Sequence, residues 1–150
     1  MHTPVNHPAR PIYRAVAALT GLYLVIFGVV GIIVTSGDAL FAQNDSRVLG
    51  QGANLGFSGL CLVLGVAVLA GVGLGRNIDT AINKVLAYGL MALSLAELAV
   101  LRTDANFLNF TVSTCLVVMV IGLVLLMAAM YGRTGTEQEA QAWRDGRLVL

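Results

Sequence analysis

Four long apolar runs, separated by short polar segments, dominate the pattern of this chain. They cover residues 15–34, 53–74, 85–101 and 111–131. Each run has about the 20 residues that a helix needs to cross a bilayer. In lipid a helix pairs all its own backbone polar groups, so these runs predict spanning helices. Because short connections force antiparallel neighbours, we predict an all-α integral membrane protein, a four-helix up-down bundle.

The polar segments define the expected domain organisation. Residues 1–14 contain all three prolines and predict a mobile N-terminal tail. Residues 15–133 form the four-helix domain, and residues 134–150 form a cytoplasmic tail with a mixture of charges. The longest connection, residues 36–52, separates the first two runs.

Composition supports a membrane protein and argues against other classes. The chain is 57% hydrophobic and 11% charged, whereas an average soluble domain is about 25% charged. The formal net charge of +1 gives no reason to expect nucleic acid as a partner. We therefore expect a multi-pass protein of the cell (inner or plasma) membrane, with the lipid bilayer as its first partner.

The positions of the basic residues predict the topology. Two basic residues, Arg47 and Arg102, lie in the first and third connections. The other seven would all lie on the opposite side of the membrane. Because basic residues are enriched on the cytoplasmic side, both termini are predicted to be cytoplasmic. These seven are Arg10, Arg14, Arg76, Lys84, Arg133, Arg144 and Arg147.

The second and fourth runs resemble each other when they are aligned with an offset of 57 residues. Gly65 then matches Gly122, and Gly75-Arg76 matches Gly132-Arg133. A duplicated helical hairpin would explain this match. Independent selection for glycine and arginine at a membrane boundary would explain it equally well.

Small residues predict where helices pack closely. Ala67, Gly71 and Gly75 recur every four residues along one face of the second run, and Gly28 and Gly31 lie in the first. Such spacing is typical of helix contacts in membranes.

Glu97 is the one charged residue inside the predicted runs, and two interpretations are open. It lies close to the outer end of the third helix, so it could reach the interface or pair with Arg47 or Arg102. Alternatively it faces the bundle, in a polar layer that could hold a cation or a proton, or could simply join helices by hydrogen bonds. The candidate layer consists of Glu97, Asn54, Ser58, Ser94, Thr111, Ser113 and Thr114.

Glycine and aliphatic patterns give the chain a family resemblance. Residues 13–17 (YRAVA), residues 21–31 (GLYLVIFGVVG) and residues 111–132 resemble the actinobacterial domain of unknown function 4383 family. Asn54 matches an asparagine of that family near the outer start of the second helix. The histidines found in such positions are absent from the second and fourth runs. The resemblance covers residues 12–133 and implies a four-helix membrane protein without an established activity.

No catalytic, metal-binding or nucleotide-binding motif is recognisable in the sequence. Cys61 and Cys115 lie among aliphatic residues and are expected to be free thiols. We therefore expect no enzyme, no cofactor and no metal, but a small scaffold or accessory subunit of a membrane assembly. Its protein partners would be other membrane proteins or a second copy of itself. The alternative is a transporter or channel component that uses Glu97.

Overall fold

The computed structural model describes residues 4–147, so the ends of both predicted tails, 1–3 and 148–150, lie outside the described residues. Five helices and a minimal pair of strands follow one another along this range. In chain order they are α1 (Arg10–Val34), β1 (Arg47–Val48), β2 (Gln51–Gly52), α2 (Leu55–Leu74), α3 (Ile78–Val100), α4 (Val112–Tyr131) and α5 (Glu137–Arg147).

Helices α1 to α4 are long and apolar enough to cross a membrane, which confirms the prediction of four candidate spans. Two of them begin earlier than the sequence predicts. α1 starts at Arg10 rather than near residue 15, and α3 starts at Ile78 rather than near residue 85. The extra turns carry Arg10, Arg14 and Asp79. Polar residues at these positions resemble a loop in sequence, but in the structure the two partly exposed arginines pair with the buried Asp79.

Helix boundaries follow from local chemistry. The Asn54 side chain accepts a hydrogen bond from Phe57 N and so caps α2. Thr111 caps α4 and forms a reciprocal capping box with Thr114. At the other end of α2, Gly75 has φ +62°, a conformation that glycine adopts at no steric cost.

The bundle consists of two helical hairpins. α1 packs chiefly against α2, and α3 against α4, while α2–α3 and α1–α4 contacts join the hairpins. Glycines let the backbones approach: a Cβ on Gly28 would lie 2.6 Å from Leu62 N, and one on Gly65 would lie 2.7 Å from Val25 N. A Cβ on Gly122 would lie 3.0 Å from Ala87 O.

The two hairpins share one pattern of helix boundaries. α2 and α4 match end to end at an offset of 57 residues, with Leu55 on Val112 and Leu74 on Tyr131. α1 and α3 match at an offset of 66, with Val34 on Val100. The two hairpins thus have matching helix boundaries, while the loops between their helices differ in length. This favours the duplicated-hairpin interpretation.

Burial follows the same register. All six buried residues of α2 fall on buried residues of α4 at the first offset. Five of the six buried residues of α1 fall on buried residues of α3 at the second offset. Each hairpin therefore presents an equivalent inner face to the bundle.

Residues 35–54 and 101–111 form one end of the bundle, here called the loop end. Arg47–Val48 pairs with Gln51–Gly52 in an antiparallel hairpin. Its turn residues, Leu49 and Gly50, both have positive φ, as a tight two-residue turn requires. Val48 is buried at this end, and Phe57 packs edge to face with Phe110. The loop end is therefore an ordered cap.

The opposite end, here called the terminal end, holds both described chain ends and the α2–α3 connection. Asn6 and Gly135 exchange hydrogen bonds between side chain and backbone, and Asn6 N donates to Arg133 O. The ring of Tyr13 stacks on that of Tyr131 with centroids 4.9 Å apart. The segment predicted to be a mobile tail is therefore hydrogen-bonded to the start of the C-terminal segment.

Candidate functional site

Asn54 and Ser58, two members of the predicted polar layer, are used by the backbone of the loop end. Asn54 Nδ2 donates to Phe107 O at 2.7 Å and to Ala42 O at 3.2 Å, so one side chain ties both loops to the start of α2. Ser58 Oγ donates to Asn54 O at 2.8 Å. Both residues are buried, and these hydrogen bonds hold the loop end to the start of α2.

Thr111, Ser113 and Thr114 serve the start of α4 in the same way. Thr114 Oγ1 donates to Gly52 O at 2.9 Å, which joins α4 to the strand pair. Ser113 is exposed and its hydroxyl donates to Gly50 O. The structure thus brings the predicted hydroxyl and amide groups to one end of the bundle, but their hydrogen bonds go to loop and helix backbone rather than to Glu97.

Glu97 lies inside the bundle, on the buried face of α3. The residue is 2% exposed, and its Oε2 atom has no hydrogen-bond partner. No described arginine or lysine forms an ion pair with it, so the expected pairing with Arg47 or Arg102 is not observed. Burial favours the bundle-facing interpretation over the interfacial one.

Two neighbours define the surroundings of Glu97. Ser94, one turn earlier on the same face, donates its hydroxyl to Cys115 O at 2.7 Å. Cys115 of α4 is close enough to Glu97 to interact with it electrostatically. In the first hairpin Gly31 and Ser58 occupy the equivalent positions and face each other. At this position a carboxyl group is therefore present in the second hairpin only.

The buried face of α3 is apolar at Ala87 and Leu90, which lie between the polar residues Ser94 and Asn83. Leu90 and Ala87 continue the buried face of α3, and both are almost completely buried. Opposite them, Gly122 lets α4 approach the α3 backbone, because a Cβ there would lie 3.0 Å from Ala87 O and 3.3 Å from Met91 N. This close contact lies between Ser94 and Asn83 along the buried face of α3.

Three charged residues form a cluster at the terminal end that the sequence analysis missed. Asp79 is 2% exposed, and its Oδ2 lies 3.5 Å from Arg14 Nε and 3.9 Å from Arg10 Nη2. Arg10 Nε also donates to Gly132 O at 2.8 Å, and Arg14 Nη2 donates to Val72 O. The cluster therefore ties α1 to α2, α3 and α4. Its signal in the sequence was the spacing of Arg10 and Arg14, one helical turn apart.

Two asparagines complete the terminal end. Asn77 accepts from Thr134 N at 2.8 Å and donates to Thr134 O at 2.9 Å, which joins the α2–α3 connection to the segment after α4. Asn83 lies one turn above Asp79 on the buried face, and its Oδ1 has no partner among the described residues.

The predicted packing residues lie in different environments. Gly28 and Gly31 face Leu62 and Ser58 of α2. A Cβ on Gly71 would lie 3.0 Å from Ile82 Cδ1 of α3, and one on Gly75 would lie 3.6 Å from Arg14 Nη2. Ala67 is partly exposed. The small-residue face of α2 is thus directed largely at its own bundle.

A second small-residue face lies on the outside of α3 and was not predicted. It lies opposite the buried face, and the large exposed side chains of Val85, Tyr88 and Leu95 lie among its small residues. Its exposed small residues are Ala81, Gly89, Ala92, Ala96 and Ala99. We call this set the α3 outer face.

Among the described residues, no three His, Cys, Asp or Glu side chains come together as a metal site would require. Comparisons with family models, with curated proteins and with solved structures find no match for this chain. Functional inference therefore starts from the geometry of these residues.

Proposed function

We propose that this protein is a non-enzymatic scaffold or accessory subunit of the cell membrane, which associates with another transmembrane helix through the α3 outer face. The observation that supports it is the exposure of Gly89, Ala92 and Ala96 along one side of a candidate span. Helices in lipid gain little from hiding apolar surface, so they associate where small residues let backbones come close.

The outward faces of the other spans support this choice by contrast. α1 exposes Leu19, Ile26 and Ile33, and α4 exposes Leu116 and Val120. Large aliphatic side chains of this kind suit contact with lipid tails and keep a neighbouring helix at a distance. The α3 outer face also exposes Val85 and Tyr88, but five small residues share this side of the helix, so it is the surface we assign to a partner.

The interior fits a scaffold because its polar groups are largely committed to holding the chain together. Asn54 and Thr114 fasten the loop end, and Asp79 with its two arginines fastens the terminal end. A bundle clamped at both ends offers a partner a rigid surface, which lowers the entropy lost on association. We further propose that the terminal end is cytoplasmic, on the basis of its seven basic residues, and that the chain belongs to the family it resembles.

The experiment compares two glycine-to-leucine variants. A Cβ on either Gly89 or Gly73 would meet no atom within 4 Å, so both Gly89→Leu and Gly73→Leu should fold with unchanged melting temperature. Gly89→Leu should abolish association, measured as co-purifying membrane proteins and as oligomer mass in mild detergent. Gly73→Leu, on the outside of α2, should retain it. Equal association of both variants would contradict a role for the α3 outer face.

Transport of a proton or cation is the second candidate function, and the unpartnered Oε2 of Glu97 is the observation that favours it. A transporter needs access from both sides, whereas Leu90 and Ala87 separate Glu97 from the terminal end. Flux into reconstituted vesicles that disappears in Glu97→Gln would place transport ahead of the scaffold. Equal flux, or none, in both proteins would argue against transport.

A further inference from the structure

We propose that Glu97 is a proton-binding site which exchanges with the loop end of the bundle and is closed towards the terminal end. The ligand is a proton rather than a metal ion, because the described residues bring no group of three His, Cys, Asp or Glu side chains together there. This inference does not require a partner protein, so it stands apart from the scaffold proposal.

The carboxyl group of Glu97 is buried without a compensating partner in the described part of the chain. Glu97 is buried on the inner face of α3, yet no described residue supplies a counter-charge or a hydrogen bond to Oε2. A buried ionised carboxylate without either is strongly unfavourable in a low-dielectric interior. The group therefore has a chemical reason to take up a proton and no partner that replaces it.

Asp79 lies on the same face of the same helix as Glu97 but has different surroundings. Asp79 is as deeply buried as Glu97, but two arginines approach its Oδ2 atom. Two guanidinium counter-charges therefore lie close to the Asp79 carboxyl group. The protein thus contains one carboxylate with charge compensation and one without it.

Helix packing does not require a carboxyl group at position 97. At the equivalent place in the first hairpin the bundle is closed by Gly31 against Ser58. The second hairpin has Glu97 against Cys115 in the same register. A side chain that the repeated architecture does not need is a candidate for a separate role.

Few other titratable groups surround the site. Cys115 of α4 is close enough to Glu97 to interact with it electrostatically. α2, the other helix packed on α3, carries Cys61 as its one titratable side chain, and Cys61 is also buried. Arg102 and Asp104, in the loop after α3, are exposed and form no ion pair with Glu97.

The direction of exchange follows from position. Glu97 lies three residues before the last residue of α3, Val100, which is about 5 Å along a helix. The first residue, Ile78, is roughly 28 Å away, beyond Leu90 and the Ala87–Gly122 contact. Glu97 therefore lies much closer to the loop end, and the apolar residues Ala87 and Leu90 stand between it and the terminal end.

The test uses N,N′-dicyclohexylcarbodiimide, which is lipophilic and reacts with protonated carboxyl groups inside membranes. The acid O–H adds across one C=N bond to give an O-acylisourea. Transfer of the acyl group from oxygen to nitrogen then yields a stable N-acylurea, so the whole reagent is added and nothing leaves. Mass spectrometry of peptides from the wild-type protein should place the adduct on Glu97. Asp79 is the internal control and should remain unmodified.

Sidedness is measured in sealed vesicles with a fixed internal pH. An Asp45→Cys variant carries an exposed reporter at the loop end, whereas Cys61 and Cys115 are buried. A membrane-impermeant biotin maleimide then separates molecules whose loop end faces outwards from the others. As the external pH rises, the adduct on Glu97 should decrease in the captured molecules, by about tenfold per pH unit beyond the midpoint. It should stay constant in the uncaptured ones.

Three results would overturn the proposal. They are an adduct that is absent from Glu97, an adduct whose yield does not change with pH on either side, and an adduct that follows pH at the terminal end. Glu97→Gln should lose the adduct, and Cys115→Ser should keep it, which separates the carboxyl group from its neighbour. None of these outcomes depends on association through the α3 outer face, so the two proposals fail separately.

Discussion

Asp79 and Glu97 lie on one buried face of α3, and their surroundings differ in charge. Asp79 is approached by Arg14 and Arg10, whereas Glu97 has Ser94 and Cys115 near it and no cation. Removing one member of a buried ion pair leaves the other without compensation, which destabilises the folded state. At the residue scale the terminal end therefore depends on charge pairing, and the loop end depends on hydrogen bonds to backbone.

A double-mutant cycle tests the Arg14–Asp79 pair. We expect Arg14→Gln and Asp79→Asn each to lower the free energy of unfolding, with a coupling of about 1–3 kcal/mol. Arg14 is partly exposed, which keeps the coupling below that of a fully buried pair. Unfolding in mixed detergent micelles provides the measurement.

The matched control for this cycle pairs Asp79→Asn with Arg76→Gln. Arg76 is exposed and forms no ion pair with Asp79, so these two changes should be additive within about 0.5 kcal/mol. Additivity in the Arg14 cycle as well would mean that the 3.5 Å approach contributes nothing to stability.

Glycine contacts decide how the helices pack as elements. α1 and α2 meet backbone to backbone at Gly28 and Gly65, and α3 meets α4 at Gly122. Gly65 in α2 and Gly122 in α4 are equivalent at the 57-residue offset, and each lies near the middle of its helix. Close packing of backbones replaces the hydrophobic effect as the source of association between spans.

Replacing single glycines by alanine tests these contacts. Gly28→Ala places a Cβ 2.6 Å from the Leu62 nitrogen, so α1 and α2 must separate. We expect a loss of about 1–3 kcal/mol, typical of overpacking, seen as a lower melting temperature in detergent. Gly59→Ala is the control, because its Cβ would meet no atom within 4 Å and should change stability by about 0.5 kcal/mol or less. Equal melting temperatures of the two variants would show that α1 and α2 can move apart at Gly28 without a loss of stability.

At the scale of the whole molecule, both described chain ends lie at the same end of the bundle. Asn6 is hydrogen-bonded to Gly135, and Asn77 to Thr134. The two hairpins therefore point the same way, as a duplication about an axis along the membrane normal requires. Which face of the membrane this end occupies is a separate question, and the basic residues predict the cytoplasmic face.

Single cysteines test the topology in a background without Cys61 and Cys115. Asp45→Cys, in the exposed part of the loop end, should react with an impermeant thiol reagent added outside intact cells. Gln141→Cys, exposed on α5, should react after the cells are opened. Ala140 is buried and would be a poor reporter. Labelling of position 141 but not 45 in intact cells would invert the proposed orientation.

The sequence by itself determined the four candidate spans, because the length and apolarity of a run are local properties that lipid selects directly. It also contained the 57-residue offset, since Gly65, Gly75 and their matches recur at fixed spacing. Tertiary structure decided what faces inwards. From the sequence Asp79 resembles a loop residue, and the structure shows that it pairs with Arg14 of α1. The rotation of α3 about its axis decides that Glu97 faces the bundle rather than the interface. Helix rotation is set by contacts such as Gly122 with Ala87, and those contacts join residues far apart in the chain.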